Sequence, residues 1–124
     1  MASQKAGGKV WIVPDCFLPE QSTGDLKSHE SACVLNVGKN AADLKLIAYF
    51  EDREPMEFAA ACPPRRTNHV RLDTLKNDRG EEIPRGKPFA LEIESSVKVV
   101  VQHTRLDTTQ PALALMTTMA YPAD

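Results

Sequence analysis

The sequence predicts an all-β protein, an antiparallel β-sandwich of about eight strands. Apolar residues occur in short segments that rarely keep the 3.6-residue period of an amphipathic helix. Segments rich in Gly, Pro, Asn and Asp separate them, and no stretch between two of them is long enough for a helix. Short strands at such spacing favour an antiparallel sandwich or barrel.

Four strands are predicted in the first half of the chain, because each apolar segment there is followed by residues typical of turns. Trp11, Ile12 and Val13 form the apolar part of the first one, which stops at Pro14. The four strands and their following turns are residues 9–13 before 19–24, 32–37 before 38–40, 44–51 before 52–55, and 58–62 before 63–64.

Four further strands are predicted in the second half of the chain: residues 66–72, 89–94, 97–105 and 113–121. Turn-forming residues at 77–80 and 84–88 separate the first two of them. The last segment has two interpretations. Residues 112–116 are good helix formers behind Pro111 and favour a helical turn, whereas the β-branched Thr117 and Thr118 favour a strand.

Length and charge limit the classes of function. A chain of 124 residues can bury one ordinary core without staples, so residues 1–124 are expected to form a single domain. The 42% hydrophobic and 26% charged residues are those of a globular chain, not a disordered one. Fifteen Lys and Arg against 17 Asp and Glu leave a net charge of −2, which argues against duplex DNA as the main partner.

The sequence is expected to be that of a soluble, cytoplasmic protein. Residues 1–10 show no signal peptide, and no apolar run approaches the roughly 18–20 residues of a membrane helix. Cys16, Cys33 and Cys62 are odd in number and lack a C-x-x-C spacing. This pattern favours buried free thiols in a reducing compartment over a disulfide framework or a zinc site.

One six-residue segment occurs twice. Residues 69–74 and 103–108 agree at five of six positions, and both have the pattern His-x-Arg-Leu-Asp-Thr. Residues two apart share a face of a strand, so each histidine is expected beside the arginine that follows it. Val70 and Leu72 point the other way and are expected in the core.

The two copies suggest polar faces that bind a ligand. Thr67 extends the face of His69 and Arg71, with Arg65 just before it, while His103, Arg105 and Asp107 continue an apolar valine face. Imidazole and guanidinium groups make directional hydrogen bonds that suit hydroxyl pairs, carboxylates or phosphates. The alternative is structural, with the arginines paired to carboxylates. The partners available are Asp73, Asp107, Glu92 and Glu94.

No catalytic or metal centre is predicted. His29 and Glu30 form a second polar group before a strand, but His29, His69 and His103 have no local ligand spacing. No nucleophile elbow, phosphate-cradling loop or local Cys–His signature occurs. We therefore expect a protein that is not an enzyme and has no cofactor. Trp11 is expected to pack in the core and not to serve as a stacking platform for a ligand.

Several longer segments resemble the soluble sensory rhodopsin transducer family. They match in one register from Trp11 to Tyr121, and the strings Gln-His-Thr-Arg-Leu-Asp and Arg-Arg-Thr-x-His-Val-Arg are long enough to be specific. The matching segments are residues 28–30, 33–38, 49–55, 65–71 and 99–107 with the closing pair 120–121. The amino-terminal segment and residues 77–87 depart from the family pattern.

The resemblance implies a small β-sandwich, similar to carbohydrate-binding lectin-like modules, that assembles as a cyclic homotetramer. It implies a signalling role downstream of a microbial rhodopsin or another membrane sensor, and makes sensing of a small sugar-like or anionic ligand a fair generalisation. DNA binding is suggested for the photosensory member. The alternative function is therefore a DNA-binding accessory protein that uses symmetry-related copies of Arg65 and Arg66.

The leading prediction is a non-enzymatic transducer with a polar ligand site. Arginines would hold a polyol, sugar acid or phosphate, and histidines would orient it. The candidate residues are Arg65, Arg66, His69, Arg71, Gln102, His103, Arg105, Asp107, His29 and Glu30.

Overall fold

The computed structural model describes residues 6–124, and within them it contains eight β-strands and no helix. The first five residues lie outside the described residues. They are part of the predicted single domain 1–124 and of the segment 1–10 in which no signal peptide is predicted. The strands are β1 (Gly8–Cys16), β2 (His29–Asn36), β3 (Ala42–Phe50), β4 (Met56–Cys62), β5 (Arg66–Arg71), β6 (Phe89–Asp107), β7 (Ala114–Met119) and β8 (Tyr121–Pro122). All strand pairs are antiparallel, which confirms the predicted all-β class.

The 19-residue strand β6 joins two groups of strands. Its first half pairs with β3 on one side and β1 on the other, and β4 and β8 extend this group outward. Its second half pairs with β2 and β7, and β5 lies beyond β2. The polar segments singled out in the sequence all belong to this second group or its borders.

The prediction of separate strands at residues 89–94 and 97–105 is wrong, because β6 runs through both. Ser95 stays buried and keeps the alternation in phase, so side chains at odd positions face inward from Phe89 to His103, with Val97 only half-buried. The pairing with β1 is irregular here: Val10 pairs with Glu94 and Gly8 pairs with Val99, so the extra residues lie in β6. A bulge bends the strand that carries the extra residues, here β6.

The inner faces of both strand groups contribute to one hydrophobic cluster. Leu46 and Leu91 from the first group and Val34 and Val101 from the second are all fully buried. Trp11 is also buried, and its indole Nε1 donates to carbonyl oxygens at 3.0 and 3.1 Å. Its predicted place in the core is therefore confirmed.

The carboxyl-terminal segment is extended, so the helical interpretation of residues 112–116 is wrong. β7 pairs along its whole length with β6, from Asp107↔Ala114 to Gln102↔Met119. Pairing of the backbone with β6 outweighs the helix propensity of the short Ala-Leu-Ala-Leu run. The predicted strand 113–121 divides at the buried Ala120, and Tyr121 then pairs with β1.

Within the part of the chain that the structure describes, no helix has the length and apolar character needed to cross a membrane.

Candidate functional site

The two His-x-Arg segments lie on opposite faces of the second strand group. His69 pairs with Cys33, and His103 pairs with Ala32. Directly paired residues share a face, and successive residues of a strand alternate. His69 is therefore exposed on the outer face while His103 is buried, so the repeated sequence does not form one site.

His103 and Glu30 form the centre of a buried polar network. His103 Nε2 lies 2.7 Å from Glu30 Oε1. The second carboxylate oxygen, Oε2, accepts hydrogen bonds from Arg105 Nε at 2.7 Å and from the backbone N–H of Phe17 at 2.8 Å. Three parts of the chain, the end of β1 and strands β2 and β6, therefore converge on one carboxylate that has no contact with solvent.

The predicted partners of Arg105 are wrong in detail. Arg105 pairs with Glu30, not with Asp107, Glu92 or Glu94. Its second contact is Asp15, whose carbonyl oxygen lies 3.2 Å and whose carboxylate lies 3.8 Å from Nη2. Glu30 could not be predicted as the partner of Arg105, because only the pairing of β2 with β6 brings the two residues together.

Cys16 is the third buried group in this network. Its thiol lies near the Glu30 carboxylate and 3.8 Å from the carbonyl oxygen of Val13. Burial raises the pKa of this thiol far above its usual range, and the negative charge of Glu30 raises it further. The thiol is therefore protonated at neutral pH and is a poor nucleophile.

A second ion pair, between Arg71 and Asp73, lies at the carboxyl end of β5. Arg71 donates through Nε and Nη2 to both oxygens of Asp73, each at 2.8 Å, and Arg85 Nη2 lies 3.6 Å from the same carboxylate. Burial by itself raises the pKa of Asp73, but the hydrogen bonds and charge of Arg71 outweigh it and leave that pKa below its usual value. Arg71 thus makes one of the ion pairs, with Asp73, that the structural alternative predicts.

A groove of about 250 Å³ crosses the outer face where β5, β2, β6 and β7 lie side by side. His69 from β5, Cys33 from β2 and Gln102 from β6 follow one another across these strands, and Met119 from β7 closes the row. The remaining lining residues are Leu35, Thr67 and Val100. The groove thus combines polar side chains, Thr67, His69 and Gln102, with the apolar side chains of Leu35, Val100 and Met119.

The structural relationships agree with the sequence resemblance. The family model described as "Anabaena sensory rhodopsin transducer" matches residues 6–122. The chain belongs to this family.

Two solved structures are similar along nearly the whole chain. The structure of Thermotoga maritima 1070 has a TM-score of 0.84 and 37% sequence identity, and the match covers 94% of this chain and 96% of that one. A structure named Anabaena sensory rhodopsin transducer has a TM-score of 0.73 and 36% identity, with 86% and 94% covered. No curated protein matches this chain.

Besides Arg71, which pairs with Asp73, four predicted site residues of this family member lie outside both the network and the groove. Arg65 and Arg66 lie at the turn that starts β5, where both are exposed and Arg66 Nη1 donates to the carbonyl oxygen of Arg65. Asp107 accepts two hydrogen bonds from Thr109, which lower its pKa. His29 Nδ1 lies 2.9 Å from the carbonyl oxygen of Lys27.

The ten predicted residues therefore divide into separate places. Glu30, His103 and Arg105 come together inside, and His69 and Gln102 come together outside. Cys33 and Met119 in the groove and Cys16 in the network were not predicted as site residues. Alternation along each strand could have separated the two histidines only if the strand neighbours had been known.

Proposed function

We propose that this protein is a non-enzymatic signal transducer that senses a small, uncharged, hydroxylated ligand, such as a sugar, in the outer-face groove. The observation that carries the proposal is the row of His69, Cys33 and Gln102 across three paired strands. A volume of about 250 Å³ lies just below the roughly 300–1,000 Å³ of pockets for drug-sized ligands. The groove therefore suits a ligand smaller than those.

The side chains of the groove match the chemistry of a sugar. The imidazole of His69 and the amide of Gln102 each offer directional donors or acceptors to neighbouring hydroxyls. Met119 and Val100 supply apolar surface for the C–H face of a ring. Gln102 is held in place because its Nε2 donates to Thr117 Oγ1 at 2.7 Å.

An uncharged ligand is favoured over an anionic one by the state of the arginines. A guanidinium binds a carboxylate or phosphate best through two parallel N–H bonds. Asp73 already takes both such bonds from Arg71, and Glu30 takes the Nε bond of Arg105 inside the protein. Arg65 and Arg66 remain exposed, but they lie at a turn and do not extend into a basic stripe.

The proposal includes the assembly that the family resemblance implies: a cytoplasmic cyclic homotetramer of β-sandwich subunits that communicates with a microbial rhodopsin or another membrane sensor. Support comes from β7, where every side chain is exposed and none is charged. Leu115 is 72% and Met119 56% exposed, as expected of a surface that another subunit covers. Because Met119 also lines the groove, a bound ligand would touch this surface and shift the packing of subunits.

The test is a thermal-shift screen of neutral sugars, sugar acids, sugar phosphates and a short DNA duplex at low and high salt. A ligand at roughly a hundred times its Kd stabilises by about 2.7 kcal/mol, a rise of several degrees in a domain of this size. We expect a rise with a neutral sugar that salt does not change. His69→Ala and Gln102→Ala should abolish it.

Arg66→Ala is the matched control, since it alters the same strand outside the groove. It should respond to the sugar as the wild type does. A shift seen only with DNA, lost at high salt and in Arg66→Ala, would replace the proposal with the nucleic-acid alternative. A sugar response that survives both groove substitutions would move the site elsewhere.

A further inference from the structure

Three potential metal ligands meet inside the protein, apart from the groove. The Cys16 thiol, a Glu30 carboxylate oxygen and a His103 ring nitrogen all lie within 4.8 Å of one another. Cys16 and Glu30 are completely buried, and His103 is 1% exposed. Each comes from a different strand, β1, β2 and β6, so the backbone holds the donors in fixed positions.

One atom of this group has an unused hydrogen-bonding capacity. Among residues 6–124, His103 Nδ1 is the single buried side-chain nitrogen or oxygen without a hydrogen-bond partner. Buried polar atoms nearly always have partners, so an exception needs an explanation. Nδ1 is free to hold the ring proton while Nε2, the nitrogen that faces Glu30 Oε1, binds a cation, and imidazole is a common metal ligand.

The surroundings of Glu30 resemble the outer shell of a metal site. Arg105 Nε and the Phe17 N–H both bind Oε2, which fixes the carboxylate and leaves Oε1 directed toward His103. Hydrogen bonds of this kind orient metal-binding carboxylates and histidines.

We propose that Cys16, Glu30 and His103 form a binding site for a divalent transition-metal ion, with Zn²⁺ as the expected occupant. A thiolate, an imidazole and a carboxylate are the three ligand types that Zn²⁺ takes in proteins. Binding forms the S–metal bond as the Cys16 thiol releases its proton to solvent, and the ring proton of His103 moves to Nδ1 as Nε2 and Glu30 Oε1 bind the ion. The ion's two positive charges then balance those of the thiolate and Glu30, and Asp15 lies 3.8 Å from the remaining charge on Arg105.

Because the donors are buried, the ion would enter while the chain folds. The test is to refold the full chain from denaturant with Co²⁺, which reports thiolate ligation by a charge-transfer band and tetrahedral geometry by visible bands. We expect one Co²⁺ per chain, displacement of the bands by Zn²⁺, and a higher melting temperature of the Zn²⁺-refolded protein. Elemental analysis of freshly purified protein is the companion measurement.

Cys16→Ala should weaken metal binding at least roughly tenfold, whereas the buried Cys62→Ala should bind as the wild type does. Cys16→Ser, which nearly preserves the side-chain volume, replaces Cys16→Ala if the latter does not fold. Bands that persist without Cys16, or that require Cys33 instead, overturn the proposal. So does a wild-type protein that holds no metal after purification and none after refolding. Loss of the sugar response leaves this inference untouched, since the groove lies on the opposite face.

Discussion

Arg105 Nε lies 2.7 Å from Oε2 of Glu30. The side chain of Glu30 has no exposed surface, whereas that of Arg105 is 23% exposed. The pair joins β2 to β6 at the end of the molecule where β1 also ends. Removing one partner of a buried ion pair leaves the other charge without compensation, which costs more than the pair contributes when it is intact.

Glu30→Gln should therefore destabilise the protein by about 3 kcal/mol. Part of the cost arises because Arg105 loses its carboxylate, and part because the Phe17 N–H and His103 Nε2 lose a charged acceptor. Urea denaturation of chelator-treated protein measures it. Glu57→Gln, at an exposed position, is the control and should change stability by less than about 0.5 kcal/mol. Equal effects of the two substitutions would contradict a stabilising role of the network.

Asp73 should make the stability of the protein depend on acid pH. Its pKa is lowered in the folded state because Arg71 outweighs the effect of burial, so the folded protein binds the proton less readily than the unfolded chain. The stabilisation is fully present above the unfolded pKa of about 3.9 and is lost as the pH falls through the lower folded pKa. The stability difference between wild type and Asp73→Asn should shrink as the pH falls below about 4. A difference that stays constant from neutral pH to pH 3 would contradict this assignment.

Arg71→Ala should remove most of that acid dependence and cost about 1 kcal/mol at neutral pH, the scale of a bidentate pair with one exposed partner. NMR titration of the Asp73 carboxyl should show a higher pKa in this variant. Arg66→Ala removes the same charge from the same strand but no carboxylate contact. It should leave both the stability and the titration of Asp73 unchanged.

Gly7 and Gly24 offer a comparison of two glycines with positive φ. At Gly7, with φ of 95°, an added Cβ would lie 2.1 Å from the carbonyl oxygen of Val99, whereas at Gly24, with φ of 80°, it would meet no atom within 4 Å. Gly24→Ala should cost only the backbone strain of about 1–2 kcal/mol. Gly7→Ala should cost clearly more, because β1 must move away from β6. Thermal denaturation of the two variants measures the difference, and equal melting temperatures would contradict the close approach.

Leu115→Lys should disrupt the proposed subunit assembly without unfolding the subunit. The side chain is 72% exposed in the single chain, so a lysine there costs little until another subunit covers it. Light scattering coupled to size exclusion should give a tetramer for the wild type and a smaller species for the variant. Ala59→Lys, an exposed position on β4, should remain tetrameric. A wild-type monomer would contradict the assembly itself.

The sequence by itself determined the strands and the direction of their side chains. Alternation placed Val70 and Leu72 in the core, and it placed His69 and Arg71 together on an exposed face. The family strings around His69 and His103 also identified the family, which the match over residues 6–122 confirms. These inferences needed only local information, because period and turn chemistry depend on neighbouring residues.

Only the tertiary structure decided which of these faces lie together. The pairing of His69 with Cys33 and of His103 with Ala32 sends two nearly identical segments to opposite sides of the same strands. Glu30 and Arg105 are 75 residues apart, and Cys16 meets them through the end of a third strand. Register between strands distant in sequence is set by global packing, since a shift of one residue exchanges the two faces. For that reason the repeated His-x-Arg pattern indicated one polar site, and the folded chain contains a buried network and a separate outer groove.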